Sequence, residues 1–352
     1  MSMVDSFEKI PCKIFPDFRA GSKFAAQEIA RLIIQRQKEG RKAVLGMATG
    51  STPKTLYAEL IRMHKEEGLS FKNVIAFNLD EYYPIDKNAL QSYHRFMKVN
   101  LFDHIDIDPA NCHIPSGEWK RDEVKMQSAH YEQMIDEAGG IDFQILGIGV
   151  NGHIGFNEPG SSVYSRTRLV TLENSTRLAN SYEFANIAQV PRLAITAGIS
   201  TIMKAKKVIL LAWGQMKAPV VKAAVEENIT ESVPASLLQN HDDCTFILDE
   251  SAAAELTRFK SPWLTGEFEW TPKMIRRAVI NTALKLNKPV LSLTNSDYND
   301  NGIGDLLVEY GDAYEINLQV YYMLRDSITG WPGGKPNADI PNHPERSVPY
   351  PK

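Results

Sequence analysis

The chain alternates between short apolar runs and longer segments in which apolar residues recur at helical spacing. The apolar runs predict buried strands at 43–47, 74–79, 143–148, 207–212 and 245–248. The segments of helical spacing predict helices at 53–67, 91–102, 215–227 and 274–286. Continuous apolar strands that alternate with helices are typical of a parallel sheet that is covered on both faces. We therefore predict an α/β fold with an open, mostly parallel sheet and helices on both faces.

The end of the chain has a different pattern. From 331 to 352, prolines recur among polar residues and two glycines. Because proline cannot donate to a backbone ladder, this composition predicts an extended linker or tail. A linker at this place leads us to expect that the native gene product continues beyond it, which an intact-mass measurement of that product would test.

Composition and charge exclude several functional classes. The 352 residues carry a formal net charge of −4 with both signs mixed, which gives no electrostatic basis for binding nucleic acid or an anionic membrane. No apolar run approaches the length of a membrane span, and residues 1–10 lack the apolar core of a secretory signal. Because Cys12, Cys112 and Cys244 lie far apart, we expect free thiols in the cytoplasm rather than disulfides or a zinc site.

The most informative segment is the run from 147 to 160, Gly-Ile-Gly-Val-Asn-Gly-His-Ile-Gly-Phe-Asn-Glu-Pro-Gly. So many glycines disfavour a helix, so the run predicts a loop at the end of a strand, where catalytic groups are common. The loop carries Asn151, His153 and Glu158. A histidine five residues from a glutamate suits proton transfer near neutral pH.

A dinucleotide-binding turn is the alternative interpretation of this run. Gly147, Gly149 and Gly152 have the spacing of that motif, and Glu173 lies at a suitable distance for a ribose contact. The motif also needs a helix that begins at the third glycine and holds the pyrophosphate. The glycines and the proline that follow at once exclude such a helix, so we expect the backbone to lie close to a small ligand instead.

A run of hydroxyl residues follows the first predicted strand. Thr49, Gly50, Ser51 and Thr52 precede a proline that suits the first turn of a helix. These residues fit either a phosphate site at a helix N-terminus or an ordinary helix that Thr52 caps.

Charged residues follow two other predicted strands. Asp80 fits either a base whose pKa is set by partial burial or an ordinary surface acid. Lys217 fits either a phosphate ligand or a solvated lysine. Because open parallel sheets bind ligands beyond the carboxyl ends of their strands, we expect these residues to lie near the glycine-rich loop.

Taken together, these motifs resemble those of the glucosamine-6-phosphate deaminase family. The matching segments are 49–53, 78–82, 91–93, 151–159 and 165–168. They occur in the family's order and approximate spacing between about residue 20 and about residue 260. The resemblance implies a Rossmann-like sheet of the phosphosugar isomerase and deaminase type.

The resemblance also implies a reaction, the conversion of glucosamine 6-phosphate to fructose 6-phosphate and ammonia, without a metal or an organic cofactor. His153 would open the sugar ring, and Glu158 would orient its imidazole. Asp80 would take the proton from C2 of the sugar. The hydroxyls of residues 49–52 and the ammonium of Lys217 would hold the phosphate.

Two departures from the family pattern affect the expected site. Several members carry an aspartate where this chain has Asn151, and an amide can accept a hydrogen bond but cannot carry the proton. His153 and Glu158 must then suffice, and the pH profile is expected to differ. The family's phosphate-binding arginine falls near Tyr182, which weakens that site unless another cation substitutes.

The resemblance further implies a homo-oligomer (a dimer, trimer or hexamer) and an effector site in some members. The corresponding positions are Ser161, Arg168 and Thr171, but the lysine of the family's effector run is missing. We therefore expect weak or absent activation by N-acetylglucosamine 6-phosphate.

The resemblance divides the chain into three parts. Residues 1–262 are predicted to form the deaminase domain, 263–330 an extension packed on the same domain, and 331–352 the proline-rich tail. The longer family members continue from such a linker into a deacetylase-like domain. A 6-phosphogluconolactonase-like hydrolase and a non-catalytic sugar-phosphate sensor are the alternative functions for this fold.

Overall fold

The structure, a computed structural model, describes residues 7–266 and 268–329. Contacts divide the described residues into two units, one from Phe7 to Leu256 and a second from Thr257 to Thr329. The tail predicted at 331–352 lies outside the described residues.

The first unit is built on a seven-stranded sheet in which every neighbouring pair is parallel. With strands numbered in chain order, it consists of β1 (Cys12–Phe15), β2 (Ala43–Met47), β3 (Val74–Asn78), β5 (Cys112–His113), β6 (Phe143–Gly147), β9 (Val208–Ala212) and β10 (Cys244–Asp249). The spatial order is β1-β10-β9-β6-β2-β3-β5. All five predicted strands are confirmed, because the apolar runs that indicated them form the buried interior of this sheet.

Helices cover both faces of the sheet, as predicted. They are α1 (Phe18–Lys38), α2 (Lys54–Glu67), α3 (Tyr93–Asn100), α4 (Val124–Glu137), α5 (Asn174–Ala179), α6 (Ile199–Met203) and α7 (Ala218–Glu226). On β3, the ring of Phe77 packs edge-on against Tyr131 of α4, whereas the preceding Ala76 lines a small apolar cavity together with Leu60 of α2. Because successive side chains of a strand point to opposite faces, α2 and α4 lie on opposite sides of the sheet.

A second, antiparallel sheet has the order β4-β8-β7 and was not predicted from the sequence. Its strands are β4 (Asp80–Tyr83), β7 (Arg168–Thr171) and β8 (Leu193–Thr196). The chain passes from β3 to β4 through Leu79, whose N–H donates to Met47 and whose carbonyl accepts from Ala197. Leu79 is therefore tied to both sheets, and Asp80 lies at their junction.

The second unit is helical and has its own apolar core. It contains α8 (Thr257–Lys260), α9 (Pro272–Leu286), α10 (Asn295–Asp300), α11 (Asp305–Tyr310) and α12 (Ala313–Thr329). The helix predicted at 274–286 is confirmed as α9, which Thr271 caps at its N-terminus. The hydroxyl of buried Tyr298 donates to Asn317, whose amide donates in turn to the carbonyl of Leu293. In the described ranges, no helix has both the length and the apolar character that crossing a bilayer would require.

Candidate active site

A cavity of about 220 Å³ lies at the carboxyl ends of β2 and β6, where the strand order of the parallel sheet reverses. Chain order runs from β2 through β3 to β5 on one side, and from β6 through β9 to β10 on the other. Ligands of open parallel sheets bind at such reversal points. The lining includes Thr49, Gly50, Ser51, Thr52, Asp80, Tyr93, His153, Gly155, Thr176, Tyr182 and Lys217.

Asp80 is a buried carboxylate in this lining, only 6% exposed. Burial raises its pKa to about 8, and the charge of the neighbouring Glu81 adds to the increase. A Cβ on Gly155 would lie 3.2 Å from Oδ2 of Asp80, so a glycine at this position allows the His153 loop to approach the carboxylate. The site therefore contains a carboxyl group that holds its proton more tightly than a solvated aspartate does.

The adjacent Glu81 has a different role, although it is fully buried as well. Its carboxylate accepts hydrogen bonds from the backbone N–H groups of Tyr93 and His94 and from Nδ1 of His94. Tyr93 is the first residue of α3, so Glu81 supplies negative charge at that helix N-terminus. The two adjacent acids are thus separated into one that faces the cavity and one that anchors a helix.

His153 is oriented by the side chain of Asn151. The amide nitrogen of Asn151 donates to Glu158 at 2.9 Å and to Glu173 at 3.1 Å, so the amide oxygen faces His153. That oxygen lies 2.7 Å from Nδ1 of His153, which must therefore carry a proton. In the neutral imidazole, Nε2 is then left as the basic nitrogen.

Glu158 lies behind this pair, with Oε2 3.6 Å from Nδ1 of His153. Burial opposes its ionisation, but hydrogen bonding and charge from His153, with hydrogen bonds from Thr176 and Asn151, outweigh burial and lower the pKa of Glu158. The backbone N–H of Glu173 also donates to it at 3.1 Å. Glu158 therefore acts on the imidazole directly through its charge, and Asn151 adds a hydrogen-bonded bridge between the two side chains.

The hydroxyl loop from 49 to 52 leads into the N-terminus of α2. The N-cap of this helix is Pro53, and no side chain caps it, so the alternative in which Thr52 caps an ordinary helix is wrong. Gly50 has a φ of +90°, which glycine adopts without strain. The N–H of Lys54, the first residue of α2, makes only a long bond of 3.4 Å to the Ser51 carbonyl, so the start of this helix and the hydroxyl loop before it can still receive an anion.

Lys217 extends into the same cavity from the loop after β9. Its ammonium donates to the carbonyl of Ile148 at 2.6 Å, and burial lowers its pKa. None of the described carboxylates forms an ion pair with it. A half-buried cation without a counterion, close to an uncapped helix start, favours the phosphate interpretation over that of a solvated lysine.

The three predicted effector residues are only partly brought together. A guanidinium nitrogen of Arg168 donates to the hydroxyl of Ser161 at 3.2 Å, and the other donates to Asn157 at 2.9 Å. Thr171 lies three residues further along β7, on the opposite face of that strand from Arg168.

Several lining residues were absent from the predicted site. Tyr93 and Tyr182 line the cavity, but neither was predicted as a site residue. Tyr93 lies in a segment that matches the family, and Tyr182 stands near the position of the family's phosphate-binding arginine. Thr176, whose hydroxyl lies 3.4 Å from Nδ1 of His153, carried no sequence signal. The sequence indicates Glu173 only as the ribose contact of a dinucleotide site, whereas its carboxylate accepts a hydrogen bond from the Asn151 amide.

Comparison with known proteins agrees with this geometry. The profile of the family of glucosamine-6-phosphate isomerases and 6-phosphogluconolactonases matches residues 16–247. A glucosamine-6-phosphate deaminase of Mycoplasma mycoides is 48% identical over 236 residues, which are 67% of this chain and 95% of that protein. Glucosamine-6-phosphate deaminase 1 of Bacillus subtilis is 46% identical over 229 residues, which are 65% of this chain and 94% of that protein.

One relative extends over the whole chain. A glucosamine-6-phosphate deaminase-like protein of Bacteroides thetaiotaomicron is 47% identical over 351 residues, which are 100% of this chain. The chain spans 53% of the length of that protein.

Solved structures show the same fold. A monomeric glucosamine-6-phosphate deaminase is 43% identical with a TM-score of 0.67, covering 70% of this chain and 100% of its own. A 6-phosphogluconolactonase from Trypanosoma brucei is 19% identical with a TM-score of 0.58, covering 71% and 99%, and shares the fold alone. The chain therefore belongs to the family of glucosamine-6-phosphate isomerases and 6-phosphogluconolactonases.

Proposed function

We propose that this protein is a glucosamine-6-phosphate deaminase, which converts glucosamine 6-phosphate to fructose 6-phosphate and ammonia. One observation supports the proposal most directly: a buried carboxyl group, an imidazole with a fixed tautomer and a half-buried ammonium beside several hydroxyls line one cavity of sugar size. Release of ammonia from glucosamine 6-phosphate, matched by formation of fructose 6-phosphate, is the test. A chain that releases no ammonia from this substrate would refute the proposal.

His153 acts first, by opening the pyranose ring. Nε2 takes the proton of the anomeric hydroxyl and gives a proton to the ring oxygen, which leaves C1 as an aldehyde. The hydrogen bond from Nδ1 to Asn151 keeps the basic nitrogen directed away from Glu158 during both transfers. The imidazolium that forms in between is stabilised by the charge of Glu158, 3.6 Å from Nδ1.

Asp80 acts second, on the open chain. Its ionised carboxylate takes the proton from C2 while O1 gains one from the substrate's own ammonium group, which gives an enolamine. The proton then returns to C1 and leaves an iminium carbon at C2, to which water adds as ammonia departs. Because Asp80 is nearly removed from water, its carboxylate is a stronger base than a solvated one, as its raised pKa requires.

The 49–52 loop and Lys217 hold the phosphate at the other end of the sugar. Binding energy at this unreactive group positions C1 and C2 against the imidazole and the carboxylate. Tyr182 lines the cavity near this loop, and its hydroxyl donates to Glu183 at 3.0 Å. Lys217 is thus the cation that we assign to the phosphate.

Replacing Lys217 with Gln is expected to raise KM for glucosamine 6-phosphate about 10- to 100-fold, because it removes one charge-assisted hydrogen bond to phosphate. The expected change in kcat is smaller, since the reacting groups stay in place. Steady-state kinetics measures both. Lys222→Gln, on α7 outside the cavity lining, is the matched control. If both variants have the same KM, Lys217 does not bind the phosphate.

Replacing Asn151 with Asp is expected to lower kcat/KM for glucosamine 6-phosphate at pH 7 by about threefold or more, and to steepen the acid side of its pH profile. An anion at this position favours the imidazolium, because the oxygen in question lies 2.7 Å from Nδ1 of His153. The new carboxylate would also crowd Glu158 and Glu173. Adding Glu173→Gln should therefore restore part of the lost activity, and a profile identical to that of the unchanged protein would contradict the arrangement.

A 6-phosphogluconolactonase is the second candidate, since the matching family profile includes both activities. Lactone hydrolysis removes no proton from carbon and so needs no buried base. The carboxyl group of Asp80, with a pKa of about 8, favours the deaminase. Rapid hydrolysis of 6-phosphogluconolactone that is unaffected by Asp80→Asn would favour the second candidate.

We also propose a cytoplasmic homo-oligomer. None of the three cysteines, all of which lie among the described residues, forms a disulfide, which fits a reducing compartment. The oligomer follows from the family resemblance, although the solved relative with 43% identity is a monomeric enzyme. Light scattering on the purified chain tests this part, and a single species of about 39.5 kDa would refute it.

A further inference from the structure

Trp213 links the two parts of the proposed phosphate site, the 49–52 loop and the segment that carries Lys217. These two segments follow strands that are not neighbours in the sheet. Trp213 follows β9, and its indole N–H donates to the carbonyl of Thr52 at 3.1 Å. Thr52 follows β2, and β6 lies between β2 and β9 in the sheet. The indole therefore reaches across one strand to hold the loop that carries the phosphate-binding hydroxyls.

The same segment carries Lys217. Gly214, with a φ of +84°, turns the chain after Trp213, and its N–H donates to both carboxylate oxygens of Asp249 at 3.0 and 3.1 Å. Asp249 is buried and also accepts from the N–H of Ala252 at 2.7 Å. The turn that leads to Lys217 is thus fixed on one side by Asp249 and on the other by the bond from Trp213 to Thr52.

Gly21 provides the space that the indole occupies. It lies inside α1, where glycine costs about 0.5–1 kcal/mol relative to alanine. A Cβ at this position would lie 2.7 Å from Cη2 and 2.9 Å from Cζ3 of Trp213. The glycine is therefore explained by the indole, which would have to shift from its present position beside Thr52 if any side chain stood there.

We propose that Trp213 is a positioning residue that sets the affinity for phosphate, and that Gly21 leaves the space that its ring occupies. Neither residue is assigned a contact with the substrate; the indole holds the Thr52 carbonyl and thereby aligns the hydroxyl loop with Lys217. This inference rests on the proposed function only for the identity of the ligand, a phosphate group.

The first test is Trp213→Phe, which removes the N–H donor and keeps an aromatic ring. We expect KM for glucosamine 6-phosphate and Kd for inorganic phosphate to rise about 3- to 10-fold, the effect of one hydrogen bond, with kcat within about twofold. The dependence of Tm on inorganic phosphate concentration measures Kd without any turnover. Trp119→Phe, a partly buried tryptophan outside the cavity lining, is the control for lost packing.

The second test uses Gly21→Ala alone and together with Trp213→Phe. Gly21→Ala alone should weaken phosphate binding as Trp213→Phe does, because it displaces the indole. Added to Trp213→Phe it should weaken binding no further, because the smaller phenyl ring leaves room for the methyl group. Additive effects of the two changes, or an unchanged Kd in either single variant, would overturn the inference.

These outcomes separate the inference from the proposed function. A chain that binds inorganic phosphate with the predicted variant pattern but releases no ammonia would retain the role of Trp213 and lose the deaminase. A chain that is an active deaminase but whose Trp213→Phe variant has an unchanged Kd for phosphate would retain the proposed function and lose the role of Trp213. Failure of the unchanged chain to bind inorganic phosphate would overturn the inference as well.

Discussion

Replacing Asp80 with Asn is expected to lower kcat for glucosamine 6-phosphate by at least about 10²-fold, the usual contribution of a positioned base. The amide fills the same volume but cannot accept the C2 proton. Because ring opening does not use Asp80, substrate binding should change much less than kcat. Asp122→Asn, which alters an exposed acid outside the cavity, is the matched control and should retain full activity.

The same substitution is expected to stabilise the fold at alkaline pH. The pKa of Asp80 is about 8 in the folded chain, above the ordinary 3.8, so folding holds a proton that the unfolded chain releases. The contribution of Asp80 to stability is therefore complete below about pH 4 and is lost as pH rises through about 8, on the order of a few kcal/mol. The Tm of Asp80→Asn should exceed that of the unchanged protein increasingly between pH 5 and pH 8.5.

A parallel pH dependence of Tm in the two proteins would show that Asp80 is not a buried acid with a raised pKa. Near-normal turnover of Asp80→Asn with glucosamine 6-phosphate would instead remove it from the reaction. The two measurements therefore test the environment of the carboxyl group and its chemical role separately.

Replacing His153 with Gln is expected to lower kcat/KM for the closed-ring substrate by about 10²- to 10⁴-fold, the range for a general acid and base. Gln can still hydrogen-bond to Asn151 and fills part of the space beside Gly149. It cannot move a proton between the anomeric hydroxyl and the ring oxygen. His130→Gln, at an exposed position outside the cavity, controls for the loss of an imidazole.

An analogue that cannot cyclise separates ring opening from the later steps. The 4,5-dideoxy form of glucosamine 6-phosphate lacks both hydroxyls that could close a ring on C1. His153→Gln should slow this analogue much less than the natural substrate. Equal slowing of both compounds would contradict the assignment of His153 to ring opening.

The parallel sheet could be predicted because its strands are buried on both faces. A strand such as β9, all of whose residues are buried, reads as a continuous apolar run that few other structures produce. The catalytic loops could be predicted for a related reason. Residues that follow such strands in the sequence must lie at the carboxyl edge of the sheet, which is where Asp80, His153 and Lys217 lie.

The second sheet could not be predicted, because its strands come from distant parts of the chain and are short. Asp80 pairs with Thr196, and Arg168 pairs with the same residue from the other side. No local pattern encodes such pairings. The roles of Glu173 and Thr176 stayed hidden for the same reason, since their contacts with Asn151 and His153 exist only after folding.

The fate of the C2 hydrogen tests the central claim most directly, that Asp80 is a buried base which moves this hydrogen from C2 to C1. Glucosamine 6-phosphate deuterated at C2 would be converted in ordinary water, and the fructose 6-phosphate analysed by mass spectrometry and NMR. With a carboxyl group only 6% exposed, we expect part of the product to carry deuterium at C1. Product without any deuterium at C1, with all of the label in the solvent, would contradict it.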